Sequence, residues 1–582
     1  MSKNGQLQVA NRMIAHFLEA NPGIQRRLFL KELVSSALAA ASCYGRGMPS
    51  STAGLGRLRL KLFDADTGLP VPARLHVELP DGSHWTPVGY ASGHVHDEGS
   101  EAEILTGHNF GPMLAPAKCS LDWTCLSSGE AYLELPSGRS RLFISKGFEY
   151  LPLRVDAEVQ SGRTVLIERG IKRWVNMPAR GYFSGDIHQH FTRKGPQDDR
   201  LWETLARAED LHVINTMVLR HGEPDLRYTQ YAYGDKGVHQ AGHHVIVPGE
   251  EFRDNDLSGH LTIAGNQEII APVSTGPQLG LQESYPPFAA ACREARKMGA
   301  IVGWAHGGLA GVTEKTLGDL TPRGLESVSV EAVLGLIDFI EVVQFASFLG
   351  EPFWYRLLGS GVQLAGIGGT DFPFGIWLAP WYPTFGQERT YAAVEGQFTH
   401  RTWFDGIRRG RVFSTNGPMI WLHVEGVGCG DTIRFSRSRQ VRISARAECA
   451  HPLDVLEILL NGTVVATARP ERGQSTIKFT GRIALDRSSW ISARARGRVA
   501  AQVFGGRRDW PLIAHAGIVY AYIGQKPIRI LSDLRWLFDC TTRFRSVVKE
   551  KGVFSTEEHR TEFLRNIDEA ILIYKERLRE SQ

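Results

Sequence analysis

The period of the apolar positions divides the chain. From Leu58 to about Val175, apolar and polar residues alternate in short runs such as Leu58–Phe63 and Ala131–Leu135, broken by turn chemistry at Asp66–Gly68, Asp81–Gly82 and Pro136–Gly138. Alternation of period two at that spacing predicts half-buried strands packed as a β-sandwich. From Arg180 to about Arg411 helical and strand periods take turns. Asp199–Glu209 reads as a helix before the strand Val213–Val218, and Phe288–Met298 as one before Ala300–Trp304. Ser329–Leu336 then precedes Phe339–Val343, and Phe353–Leu358 precedes Val362–Ile367. Such repeated units predict a largely parallel sheet, curled into a barrel, with its chemistry at the C-terminal ends of the strands. A second strand-rich region runs from about Ile420 to Tyr522, with Val441–Ala445, Leu456–Leu460 and Val464–Val465 as strands and Asn461-Gly462 as a hairpin turn. It predicts another sandwich. Beyond about Ser532, Ile567, Ala570, Ile571 and Tyr574 recur at helical spacing. That stripe packs either on the body of the protein or on a second subunit, as in a homodimer.

The expected order is therefore a leader over 1–47, an N-terminal β-sandwich over 56–178, a barrel over 179–418, a C-terminal β-sandwich over 419–526 and helices over 527–582. With 582 residues the chain exceeds a single core, and 42% hydrophobic with 22% charged residues is the composition of a soluble globular protein. A net charge of +4 without a long basic run gives no ground for a nucleic acid or anionic membrane as partner. No apolar run is long enough for an integral membrane span. The seven cysteines include no CxxC pair, which argues against a zinc finger or a thioredoxin-type site. Cys119 and Cys125 read equally well as a disulfide or as two buried thiols.

The leader carries an address. Arg26-Arg27 followed by Leu28–Lys31, the mildly apolar run Leu33–Ala41 and the small residues before Cys43 resemble a twin-arginine export signal, with Met13 as an alternative start. Export by the twin-arginine machinery to the periplasm or medium is the expected fate. A cytoplasmic protein whose Lys31–Ala41 opens an amphipathic helix is the alternative. Cys43 stands where a lipid-modified cysteine could, although Ala40 replaces the usual leucine before it.

Ligand-type residues gather at the ends of the strands in the α/β region. Gly185–His190 ends in His188 and His190, which share a strand face and can bind one metal ion together, with Asp186 placed to orient a ring. His221 follows Val213–Leu219, Glu251 follows the strand His244–Pro248, and His260 opens the run Leu261–Ala264. His306 follows Gly303–Ala305, and Asp371 follows Gly368–Thr370. Any one of these is more often a packed or surface residue, and His94 and His96, set among Gly93, Asp97 and Gly99, read as a surface loop. Together, nitrogen and oxygen ligands without thiolates suit one or two divalent ions of Zn, Mn or Fe.

This series resembles the PHP (polymerase and histidinol phosphatase) metallohydrolases. Gly259–Leu261, Arg389–Tyr391, Trp403–Arg411, Ser414–Pro418 and Gly430–Ile433 narrow the resemblance to the carbaryl-hydrolase-like CehA/McbA branch, over nearly all of the chain after the leader. It implies a distorted PHP-type (β/α) barrel between the two sandwiches, with His188, His190, Glu251, His306 and Asp371 as metal ligands and His260 as a further one. Pro373 stands where PHP proteins often have a histidine, and Phe191–Asp198 lacks the early His or Asp that often follows the first motif. Those departures favour one or two ions over three.

The implied activity is a metal-dependent hydrolase cleaving an ester-type bond of a small-molecule carboxylic ester, carbamate or phosphoester. A metal-held hydroxide would attack, Asp371 would orient or deprotonate the water, and His260 or His221 would protonate the leaving group. Arg193, Lys194, Arg220 and Arg253 near the ligands suit a phosphoester. Phe191, Phe252, Trp304, Phe372, Phe374 and Trp377 suit an apolar ester. The competing reading is an exported, non-catalytic binding protein on a degenerate scaffold.

Overall fold

The computed structural model describes residues 54–83, 85, 124–126, 128–220, 226–308, 327–344, 346–372, 385–471, 473–499 and 510–581. The leader with Arg26, Arg27 and Cys43, His94, His96, Cys119, His221, Pro373, Phe374 and Trp377 lie outside the described residues. The fold is mixed α/β with β structure predominating and several sheets. Among the described residues no helix is long and apolar enough to cross a membrane.

The first alternating region folds into two facing sheets. Leu55–Asp64 pairs antiparallel with Glu130–Pro136 and parallel with Thr164–Ile171. Ala73–Glu78 lies between Thr124–Leu126 and Gly138–Ser145, which in turn pairs with Leu153–Val159. Alternate residues Leu58, Leu60 and Leu62 are buried with Leu75, Leu133 and Ile144 in one apolar core, as period two requires.

Strands of the central unit are numbered here in chain order: β1 (Tyr182–Gln189), β2 (Val213–Arg220), β3 (His244–Asp254), β4 (Gly259–Ala264), β5 (Ile301–Trp304), β6 (Phe339–Val343) and β7 (Ala365–Gly368). They pair in that order. β1, β2 and β3 are parallel, β4 runs antiparallel to both β3 and β5, and β5, β6 and β7 are parallel. The sheet then closes on itself, because the chain after β7 returns to the end of β1: Gln189 pairs with Phe372, His190 N donates to Phe372 O at 2.7 Å, and Asp371 N donates to His188 O at 2.9 Å. Towards the other end of β1, β8 (Arg389–Ala393) fills the gap, and Thr390 Oγ1 bonds both N and O of Gly368.

One face of each strand lines the enclosed space. Val213, Val247, Ala264, Ile301, Phe339 and Ile367 pack there as an apolar plug. Gly303 on β5 leaves room for it, since a Cβ there would lie 2.1 Å from the Phe339 ring. Two or four residues along the same faces come Glu251, Thr262 and Glu341, so the lining changes from apolar to polar at the C-terminal ends of the parallel strands. β3 is longer than the expected His244–Pro248. Glu250 and Glu251 are therefore strand residues on opposite faces, and Glu250 accepts from Ile270 N at 3.0 Å.

Helices cover the outer faces. α1 (Pro196–Ala208) sets Trp202 and Leu205 against Ile214 and Ile246. α2 (Phe288–Lys297), α3 (Val328–Val333) and α4 (Glu351–Gly359) pack on Leu261, Val302, Ile340 and Val342, whereas α5 (His400–Arg408) adds Trp403, Phe404 and Ile407 to the cluster formed by Phe183 and the plug. The C-terminal helices α6 (Leu531–Lys551) and α7 (Glu557–Glu580) join that outer core through Leu534, Leu537, Phe544, Ile567 and Ala570. Tyr574 Oη donates to Ser329 O at 2.8 Å. The apolar stripe of α7 thus packs on the body of the chain.

The C-terminal region forms a three-stranded sheet of Met419–Val424, Arg439–Glu448 and Thr476–Leu485 against a second sheet that contains Leu453–Leu460, Thr463–Ala468, Ser489–Val499 and Trp510–Ala516. Asn461 and Gly462, at φ of 51° and 82°, make the two-residue turn of its hairpin. The expected boundary between 418 and 419 falls between strands of two sheets, β9 (Val412–Thr415) before it and Met419–Val424 after it. β9 pairs with β8 on one side and with Trp510–Ala516 on the other, so the central sheet runs on into the C-terminal one. At the N-terminal side, Glu149 accepts from Arg173 at 2.6 Å, from Met177 N at 2.8 Å and from Tyr391 at 3.3 Å, while Arg173 also bonds Asp210 at 3.1 Å. That network fastens the first sandwich to the central unit.

Glu331 on α3 is buried, and burial pushes its carboxyl up to about 8 from its usual 4.5. The folded chain therefore keeps a proton that the unfolded chain releases, and this group's contribution to stability is full below pH 4.5 and lost as pH rises towards 8. Glu331→Gln should match the wild type closely in urea stability at pH 5 and exceed it by on the order of a few kcal/mol at pH 9. A difference that is the same at both pH values would count against the buried acid.

Candidate metal centre

At the polar end of the enclosed space, His188 and His190 of β1, Glu251 of β3, His306 after β5 and Asp371 after β7 converge. His188 Nε2 and His190 Nε2 each lie 3.3 Å from Asp371 Oδ1, and His190 Nε2 also lies 3.3 Å from Glu251 Oε2. His306 Nε2 is 3.8 Å from Glu251 Oε1. Two groups of ligand atoms are close enough to share an ion: His188, His190 and Asp371, and His188, Glu251 and His306. Glu251 turns one oxygen towards His190 and the other towards His260 and His306.

The other ring nitrogens fix the tautomers. His188 Nδ1 lies 2.7 Å from Glu341 Oε1, His190 Nδ1 lies 3.0 Å from the Met217 carbonyl, and His306 Nδ1 lies 3.1 Å from the amide oxygen of Gln344. Each of those oxygens only accepts, so each Nδ1 carries the proton and each neutral ring presents an Nε2 lone pair to a carboxylate. His188 Nε2 is buried and makes no hydrogen bond, despite having Asp371 Oδ1 at 3.3 Å. Lone pairs facing carboxylate oxygens in a buried site repel unless a cation or added protons lie between them. This donor set therefore fits a divalent ion.

The electrostatics agree. Burial alone would lower the His188 imidazole, but the carboxylates of Glu341 and Asp371 raise it well above its usual value. His190 and His306 are likewise raised against burial, chiefly by the facing carboxylates of Asp371 and Glu251 respectively. Burial works to raise Asp371, yet the facing His188 holds it low, and Arg253 with His260 does the same for Glu251. Imidazoles held up and carboxylates held down mark a site that demands positive charge between them.

Two ligand-type residues sit in left-handed backbone. His306 has φ of 57° and Asp371 of 56°, conformations that few non-glycine residues adopt outside sites where the surroundings impose them. Asp186 is what imposes the second. Rather than orienting a ring, as expected, it accepts from His188 N at 3.1 Å, Gln189 Nε2 at 2.7 Å, Thr370 N at 3.1 Å and Thr370 Oγ1 at 2.5 Å. It ties the turn that carries Asp371 to the end of β1.

His260 belongs to neither group of ligand atoms. Its Nδ1 lies 2.8 Å from Glu251 Oε1, while its Nε2 accepts from Arg253 Nε at 3.3 Å and sits 2.9 Å from Asn255 Oδ1. Burial first, then the Arg253 charge, lower it to about 4. The expected rim cations and aromatics are mostly structural. Arg193 is buried and bonded to Asp199, Gln230 and Gly237 O. Phe191 stacks on Trp202 at 3.6 Å, Phe252 and Trp304 pack on Phe288, and Phe372 packs on Phe385. Arg253 stands against the ligand set, 3.9 Å from Glu251 Oε1.

Sequence reasoning passed over Glu341, Gln344, Thr262 and the Met217 carbonyl. The signal for Glu341 was present: it is the one charged residue in the apolar strand Phe339–Val343, all of which is buried. A main-chain oxygen leaves no mark in a sequence.

No protein-family model matches the chain, and no curated protein does. Among solved structures, the chain is similar to GBS52, the minor pilin of the Gram-positive pathogen Streptococcus agalactiae, at 16% identity and a TM-score of 0.15, over 21% of this chain and 47% of that one. The matched stretch spans about half of that structure, and a likeness at this score decides nothing about fold or activity.

Asp186→Ala leaves three buried donors, His188 N, Gln189 Nε2 and Thr370 N, short of an acceptor, and leaves Thr370 Oγ1 with the His188 carbonyl at 3.4 Å. A loss of at least about 2 kcal/mol in urea stability is expected, together with weaker metal retention through the freed Asp371 turn. Wild-type stability in this variant would show that the turn is held by other contacts.

Proposed function

We propose that this chain is a metal-dependent hydrolase of ester-type bonds, acting on a carboxylic ester, carbamate or phosphoester, on a PHP-type barrel of the CehA/McbA kind. The observation that carries this reading is the set of three fixed Nε2 lone pairs turned to the Asp371 and Glu251 carboxylates in a buried space at the strand ends. His188, His190 and Asp371 would hold an ion, and His188, Glu251 and His306 offer a second set of ligand atoms close enough to do so. When bound, such ions polarise a substrate oxygen and make water a nucleophile near neutral pH.

The protein groups divide the remaining work. Asp371, held as a carboxylate beside His188 and His190, is placed to accept a proton at a free oxygen. His260 stays neutral near pH 7 because its value is lowered to about 4, so it suits orientation of Glu251 or uptake of a proton better than donation to a leaving group. Arg253 supplies fixed positive charge at the wall of the site, where an anionic group could approach. The apolar plug beneath the ligands excludes water from the opposite end. Export through the twin-arginine pathway suits a protein that acquires its metal as it folds, and is proposed with the activity.

The test is metal analysis of the purified full chain by mass spectrometry beside His188→Ala and Asp371→Ala, followed by assays with 4-nitrophenyl phosphate, bis(4-nitrophenyl) phosphate, and 1-naphthyl esters and carbamates. The wild type should hold one or two ions. Each variant should lose at least one ion and about 100-fold or more in turnover of the substrate class accepted. A wild type that stays free of metal after Zn and Mn are supplied would sink the hydrolase reading.

A further inference from the structure

The geometry points to Glu341 as the positioning residue that couples the two ligand groups, one carboxylate oxygen serving each. The inference rests on the metal reading of the site. Oε1 lies 2.7 Å from His188 Nδ1 and accepts from Thr262 Oγ1 at 3.3 Å, which fixes the His188 tautomer with its lone pair on Nε2. Oε2 accepts from His306 N at 2.8 Å, which holds the left-handed turn that aims the His306 ring. His188 and His306 come from strands far apart in the sequence, and their rings lie 5.0 Å apart. Glu341 is the one side chain among the described residues that bonds both.

The main chain at this position of β6 is closely packed. A Cβ on Gly307 would lie 2.2 Å from Glu341 O, one on Gly350 would lie 2.0 Å from the same oxygen, and one on Gly369 would meet His188 Cβ at 2.9 Å and Glu341 Oε1 at 3.4 Å. Three turns can thus press in around β6 only as glycine. The carboxylate itself is not replaceable by an amide. Donors approach both oxygens, whereas glutamine has one oxygen: facing His188, it sets an N–H₂ against the His306 N–H; facing His306, it forces the His188 proton onto Nε2 and removes a ligand.

The experiment is titration of the metal-free full chain with Co(II), followed by its visible spectrum, and with Zn(II) by competition against a chelator. Circular dichroism of the metal-free proteins reports folding. Glu341→Gln should fold and bind at least one ion about 10- to 100-fold more weakly, with altered Co(II) bands. Glu331→Gln, a buried carboxylate outside the site, should bind as the wild type does. Glu341→Asp keeps the charge but cannot span both partners, so it should weaken binding as well, and it decides the matter if the glutamine variant does not fold. Wild-type affinity and spectrum in either folded variant would overturn the role of Glu341 while leaving the metal reading intact. If the wild type itself binds neither ion, both fall.

Discussion

Three imidazole lone pairs and two carboxylates enclosed at one end of a closed sheet cannot be left without positive charge between them. In water the same groups would be solvated apart. Here the strands hold them within 3.3 to 3.8 Å in a buried space, where opposed electron pairs cost far more than in bulk solvent. The local structure is arranged to deliver that confrontation. The ring protons are claimed by Glu341, the Met217 carbonyl and Gln344, and the Asp371 turn is tied down by Asp186.

The sheet provides the frame through alternation alone. A residue and the one two positions on share a face, so each lining strand can give its first inward position to the plug and its next to the site. β6 does this in the shortest form, with Phe339 in the plug and Glu341 in the polar layer. β4 runs the other way and places its residues in reverse order, Thr262 before Ala264. Apolar burial and polar constellation are two ends of the same lining.

The flanking regions are built into that frame. β9 carries the central sheet on into the C-terminal strands, and α6 and α7 complete the outer core over α3 and α4. Glu351 at the start of α4 is bonded by Arg494 of the C-terminal sheet at 2.6 and 2.7 Å, and the adjacent Gly350 packs against the carbonyl of Glu341. Contacts from the far sandwich thus reach the back of the candidate site through one helical turn.

Much of this was written in local pattern. Period two marked Leu58–Phe63 as a strand, a short apolar run after a helix marked Phe339–Val343, helical period marked α1 and α2, and Asn461-Gly462 marked a turn, because each depends on neighbours a few residues away. His188, His190, Glu251, His306 and Asp371 drew attention for the same reason, each standing at or near the end of an apolar run. What pattern could not supply were relations between distant segments. The return of Phe372 to Gln189, the shared sheet across β9, the service of Glu341 to both His188 and His306, and the duty of Asp186 to a backbone turn all join residues far apart in the chain. The sequence by itself determined which residues could ligate and that they stand at or near the ends of strands, since apolar runs of that length mark the extended backbone. Only the tertiary structure decided which lone pairs face which carboxylates, because that follows from how the sheet closes.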